Sequence, residues 1–350
     1  MTKLKLAGCL GLVLTLILTA GTAFAQTDLG EVQRYLLGKT DTLVQETAEL
    51  QRLSDRYYTL AEGAGFDYQT LWQNHEGEVT TLLTDARDAW TTASPVYEQV
   101  EGIVAGTPSL AQFDVDLDAG SSAAEDPQNA VSFDIALPDG AVLEKPGNLF
   151  GVSESTLWGT FERYSSGAQA DLNSNGKLEF GEVLPDANVL KGASASLAQK
   201  AAELKAAGTA WTPTEADAFT ALAVMVPTMS EYFASWRDSR FVIGAASKQR
   251  DFVAISRLAD IQDILSGLQV VLESVMPSIA TVDAAQAKQI ETRLVGLKSY
   301  VAQIYEAERA GKRFSPEQAD VLGAEAQDRA TAITGQVVQV AGALGVTVTD

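Results

Sequence analysis

The sequence predicts an all-α protein, six or more long helices in antiparallel bundles with one small acidic excursion. Three observations carry that expectation. Apolar residues recur at helical spacing over most of the 350 residues. Two stretches, Thr212-Pro213-Thr214-Glu215 and Ser315-Pro316-Glu317-Gln318, read as capping boxes with proline at the first helical position. Strand-like alternation is confined to Val131, Phe133, Ile135 and Leu137, just before a Pro138-Asp139-Gly140 turn.

Taken in order, Leu29, Leu36, Leu43, Leu50 and Tyr57 stand seven apart, with Val32, Leu53 and Leu60 between them, and predict a helix ending at Gly63-Ala64-Gly65. A second runs from about Tyr68 to Val104, with Trp72, His75, Val79, Leu82, Ala86, Trp90, Ala93, Tyr97 and Val100 on one face. Ser94-Pro95 should kink it, because proline lacks a backbone donor. Residues 106–191 then carry 14 acidic and 4 basic side chains, a partly irregular insertion. Helices return from about Leu190 to Ala207, stopping at Gly208. The next holds Phe219, Leu222, Val226, Met229, Phe233 and Trp236, with a kink at Pro227. Another holds Ile255, Leu258, Leu265, Leu268, Leu272 and Val275 and ends at Pro277. Ile290, Leu294, Leu297, Val301 and Ile304 mark one more, and a last runs from Ser315 through Leu344. The expected divisions are 1–25, 26–105, 106–191 and 192–350. Met and aromatic stripes at this spacing are core packing.

Residues 1–25 read as an export signal: Lys3 and Lys5, an apolar run from Leu10 to Leu18, and Ala23-Phe24-Ala25 as a small-x-small cleavage site. Leu6-Ala7-Gly8-Cys9 resembles a lipobox but precedes the apolar run, so cleavage after Ala25 without a lipid anchor is expected, and a periplasmic or extracellular soluble product. That product has no cysteine, and 23 basic against 46 acidic side chains give it a net charge near −23. Such a surface repels nucleic acid and favours cations.

The chemistry-bearing motif is Asp171-Leu172-Asn173-Ser174-Asn175-Gly176-Lys177-Leu178-Glu179-Phe180-Gly181-Glu182, which reads as an EF-hand calcium loop. Asp171, Asn173 and Asn175 offer one oxygen each. Lys177 offers its carbonyl, Glu179 acts through water, and Glu182 closes the site bidentately around Ca²⁺. Pro185 follows three residues after the loop, which argues for a structural calcium rather than a sensor that opens a helix pair.

Several segments resemble the imelysin-like family, which includes EfeO-type periplasmic iron-uptake proteins. They are Asp85-Ala86-Arg87-Asp88-Ala89-Trp90, Tyr97-Glu98-Gln99-Val100-Glu101, Pro146 to Glu154 with Leu157-Trp158-Gly159, Gly311 to Asp320 and Glu325 to Ala330. The resemblance implies one exported domain of two four-helix bundles over 26–350, with a metal-linked role in iron uptake and an iron permease system in the cytoplasmic membrane as partner. It also exposes a departure: if Glu154 is the glutamate of the family's H-x-x-E motif, Gly151 stands at the histidine position. Glu98, Glu101 and Glu154 remain, with Asp114, Asp116 and Asp118 in an alternating acidic run. Together they suggest an all-oxygen second metal site, suited to ferric iron, calcium, magnesium or manganese rather than zinc or copper.

His75, the only histidine, falls on the apolar face of its helix and is expected to be packed or hydrogen-bonded rather than a metal ligand. No H-E-x-x-H and no G-x-S-x-G occur, so zinc-peptidase and serine-triad chemistry lack their residues and no enzymatic activity is expected. Two binding readings remain: an iron-uptake-linked metal binder with a structural calcium, or a calcium-stabilised envelope protein for an acidic polysaccharide that has lost the transition-metal site.

Overall fold

The computed structural model describes residues 27–349; the expected export segment, 1–25, lies outside them. Helix α1, Gly30–Gly63, buries Leu36, Leu43, Leu50 and Tyr57, the heptad positions that predicted it. Gly65 and Phe66 turn the chain through left-handed backbone, and Asp67 caps α2, Tyr68–Val104, by accepting from the amides of Gln69 and Thr70. Helical dihedrals continue through Pro95, contrary to the kink expected there. The departure lies at His75, with φ −133 and ψ 24, on the exposed stretch at the start of α2. Burial of Ala93 and Tyr97 on either side holds the proline turn in place.

The acidic excursion is short pieces. Helix α3, Ala111–Asp114, passes into a five-residue π turn, Val115–Ala119. Strand β1, Asp134–Ala136, lies within the alternating stretch that predicted a short strand and turn, and it pairs as a hairpin with β2, Val142–Glu144. Helix α4, Leu149–Leu157, is capped by Asn148, whose side chain accepts from the Gly151 amide. Strands β3, Ser165–Gln169, and β4, Val183–Pro185, then pair antiparallel and carry loop 171–182 between them.

Asp186 caps α5, Ala187–Ala210, which runs past Gly208. The helices approach closely at this glycine, where a Cβ would meet the Leu36 side chain at 3.1 Å. The next capping box is Thr214 with Asp217, two residues later than expected, and opens α6, Glu215–Met225. A 3₁₀ turn at Pro227 separates it from α7, Met229–Asp238, which is followed by the short α8, Arg240–Ile243. Helix α9, Arg257–Val282, contains Pro277 instead of ending at it, because Val275 and Ile279 flank the proline in the core. Helix α10, Ala284–Arg309, and α11, Pro316–Leu344, complete the chain; Ser315 and Gln318 form the expected capping box.

The described chain is thus mostly helical. Helix α1 packs on α2 and α5; α9 packs on α10 and α6, and α11 on α7 and α10. The α2–α9 contact joins the two sets around one continuous core. Helix α9 is apolar and long enough to cross a bilayer by composition alone, yet Leu258, Ile261, Leu265 and Leu268 lie in this core.

Candidate metal centre

Where α2 and α9 meet, charged groups replace apolar ones. Glu98 and Glu101, one turn apart on α2, are 1% and 3% exposed. The coiled segment 111–119 places Asp114 and Asp118 on the same side, four residues apart and buried. From α9 come Arg257 and Asp260, at i and i+3, and from α7 comes Tyr232, all buried. Burying charge is costly unless it is paired. The pairing is incomplete. Arg257 Nη1 lies 2.9 Å from Asp260 Oδ2 and 3.5 Å from Glu98 Oε1. Tyr97 donates to Asp114 Oδ1 at 2.8 Å, and Tyr232 donates to Glu101 Oε1. One guanidinium therefore faces five carboxyl groups. Among the described residues, Glu98 Oε2 and Glu101 Oε2 have no hydrogen-bond partner.

These groups converge on one point. Glu98, Glu101 and Asp118 each offer a carboxylate oxygen, and the three oxygens lie within 4.8 Å of one another. Glu101 and Asp118, with Asp251 and Arg257, line a cavity of about 850 Å³ that is open to solvent. Burial pushes the Asp118 carboxyl up to about 8, opposed by Arg257 and reinforced by Glu101 and Asp260. Burial also raises Glu98 and Asp114 well above the carboxylate range, and Asp260 to about 6. The cluster either keeps protons or takes up a cation. Three carboxylates with unused lone pairs fit a hard, oxygen-seeking ion, and the arrangement offers no nitrogen or sulfur donor for a soft one.

The remaining sequence-predicted residues sit elsewhere. Asp116 points away from Asp114 and Asp118 and pairs with Lys200 at 3.1 Å, because the backbone coils where strict alternation would have aligned all three. Glu154 is buried, but its carboxylate accepts from the amides of Phe252, Val253 and Ala254 at 2.6, 2.9 and 2.7 Å. It anchors the segment before α9, and burial still pushes it up to about 8 against those donors. His75 is not packed: its side chain is 45% exposed, with Nδ1 4.0 Å from Glu78.

In loop 171–182 the oxygen-bearing side chains turn onto loop amides. Asp171 accepts from Asn175 and Gly176, at 3.1 and 2.7 Å, and Glu182 from Asn173 and Glu179, at 3.3 and 2.8 Å. Glu179 accepts from the Asn173 and Asn175 side-chain amides, while the Lys177 amide donates to Asn175 Oδ1. Gly176, at φ +78, makes the sharp turn. The flanking elements are strands, not a helix pair. Arg87 ties the loop to α4 by donating to the carbonyls of Leu157 and Gly181.

The Imelysin family model matches residues 32–337, nearly all of the described chain. The chain belongs to the imelysin family. At family level this supports a metal-related, exported protein. No curated relative matches it. In this imelysin the residues missed from sequence are Arg257, Asp260, Tyr232 and Asp251. The signal for two of them was present: Arg257 and Asp260 fall in register with Ile261, Ile264 and Leu268 on the apolar face of α9, where charge needs a reason.

Proposed function

We propose that this imelysin is an exported, non-catalytic binding protein for a hard cation, linked to iron uptake, with Glu98, Glu101 and Asp118 as the seat. One observation carries the reading: the two buried carboxylate oxygens of Glu98 and Glu101, without a partner, beside Asp118. An unpaired buried acceptor of this kind costs about 1–3 kcal/mol, more when charged, and a bound cation removes that cost. Asp118 meets the cavity and is the point of entry, while Arg257 balances part of the charge and keeps the seat from being purely anionic. An EfeO-type role, delivering ferric iron toward a permease in the cytoplasmic membrane, is consistent with the resemblance and with the oxygen-only donor set.

The seat contains no general base poised beside an open metal position with nitrogen ligands, and no serine or cysteine nucleophile stands in the cluster described. Binding is therefore the favoured chemistry. Equilibrium dialysis of purified protein against ferric iron, followed by metal analysis, tests it. Retention of one ion, lost in Glu98→Gln and Glu101→Gln, is the expected result; no retention at micromolar iron removes the proposal.

Loop 171–182 is read as a second, calcium-binding element. The support is its ligand spacing together with the inward turn of Asp171 and Glu182. Because strands flank it and Arg87 ties it to α4, calcium there acts as a staple. Gly151 favours the alternative, a calcium-stabilised envelope protein for an acidic polysaccharide; in that case calcium raises the melting temperature and iron does not.

A further inference from the structure

Segment 240–253 also lines a second cavity, which shares Ile243 and Gln249 with the first and is likewise about 850 Å³ and open to solvent. Its chemistry is the reverse of the first. Arg240 and Arg313 line it, with Phe180, Phe241, Val253 and Gln249, and among the described residues no aspartate or glutamate does. In a chain of 46 acidic and 25 basic residues that lining runs against the overall charge. Most other arginines here are paired: Arg34, Arg52, Arg56, Arg237, Arg309 and Arg329 each meet a carboxylate within 4.0 Å. Neither Arg240 nor Arg313 forms such a pair among the described residues.

Arg240 is also fixed in place. Its guanidinium lies 3.6 Å from the Phe180 ring centroid, and Nη1 donates to the Val253 carbonyl at 3.3 Å. Stacking uses the face of the guanidinium and leaves in-plane N–H donors for a planar oxyanion. Burial and then the neighbouring Arg313 charge both lower the Arg240 pKa, so the two cations are held where their repulsion is felt. Glu308 feels the Arg313 charge but does not line the cavity, so two guanidiniums share a lining that holds no carboxylate, and an anionic ligand would relieve their repulsion.

We propose that this cavity binds a polycarboxylate, with Arg240 and Arg313 receiving its carboxylate groups and Phe180 and Phe241 packing against its carbon skeleton. Guanidinium–carboxylate pairing is bidentate and charge-assisted, which suits two anionic groups on one ligand. The same chemistry is offered by a free small polycarboxylate and by the uronate units of an acidic polysaccharide.

Isothermal titration calorimetry of the full metal-free protein at low ionic strength tests the proposal, with tricarballylate as the small probe and oligogalacturonate as the polymeric one. Binding of at least one probe is expected, weakened about tenfold or more in Arg240→Gln and in Arg313→Gln, unchanged in the distant Arg52→Gln, and weaker in physiological salt. Tighter binding of oligogalacturonate assigns a polysaccharide; binding of tricarballylate alone assigns a small ligand. Failure of both probes at millimolar concentration overturns the proposal, as does binding that neither cavity variant weakens. Arg313 is exposed, so Arg313→Gln reports on binding without disturbing the core.

Discussion

A Cβ on Gly151 would stand 2.7 Å from Asp251 Oδ2. The glycine that departs from the H-x-x-E pattern therefore leaves room for a half-buried acidic side chain from the segment before α9 to lie against the first turn of α4. With Asp251 in this position, a side chain at residue 151 would have to displace its carboxylate.

Gly151→Ala should destabilise the protein by about 1 kcal/mol or more, since the new methyl crowds both Asp251 and the capping oxygen of Asn148, 2.9 Å away. Asp251→Ala in the same chain should recover much of that loss. Urea unfolding of the two single variants and the double variant measures the coupling. Simple additivity would show that the clash does not govern this position.

Glu98→Gln and Glu101→Gln should separate binding from stability. Each removes a charge from a cluster in which one arginine faces five carboxyl groups, so the metal-free protein should be as stable as the parent or more so. Metal retention should nevertheless be lost. Paired melting and dialysis measurements check this.

Glu154→Ala should behave in the opposite way. Three amides, those of Phe252, Val253 and Ala254, would lose their acceptor, at roughly 1–3 kcal/mol each for groups left buried. Chemical denaturation should show a loss of several kcal/mol, and metal stoichiometry should survive at low temperature. Loss of the ion with unchanged stability would return Glu154 to the ligand set.

Metal-free stability should fall as pH rises from about 5 to 8. Burial holds Asp118 and Glu154 near about 8 and Asp260 near about 6, above the ordinary carboxylate values of the unfolded chain. Between those limits the native state binds more protons than the unfolded state, and stability declines with pH until the folded values are passed. Thermal melts in chelator across this range measure the slope. A saturating hard cation should flatten it.

Calcium at ~1 mM should add about 1.4 kcal/mol if loop 171–182 binds with the ~10⁻⁴ M affinity of an extracellular module. Asp171→Ala should abolish that increment without affecting metal retention by the Glu98–Glu101–Asp118 group. Melting temperature with and without calcium, in both proteins, decides it.

Much of the fold was legible because it rests on periodicity. Leu36, Leu43, Leu50 and Tyr57 are buried where the heptad placed them, and Ser315 and Gln318 cap where the local motif demanded. Proline was the weak point: Pro95 and Pro277 sit inside continuous helices because neighbouring core residues outweigh one lost hydrogen bond. Glu98 and Glu101 were legible as a pair one turn apart. Asp116 was misplaced because residues 111–119 coil through a π turn, which alternation of acidic letters does not reveal.

The sequence by itself determined the helices, a short strand and its turn, the oxygen-rich loop and the excess of negative charge, since each follows from neighbours within a dozen residues. Only the tertiary structure decided which charges meet. Arg257 lies more than a hundred residues from Glu98, and Asp251 about as far from Gly151. Whether a carboxylate keeps a proton, pairs with arginine or waits for a cation depends on the dielectric and the partners that long-range packing brings together.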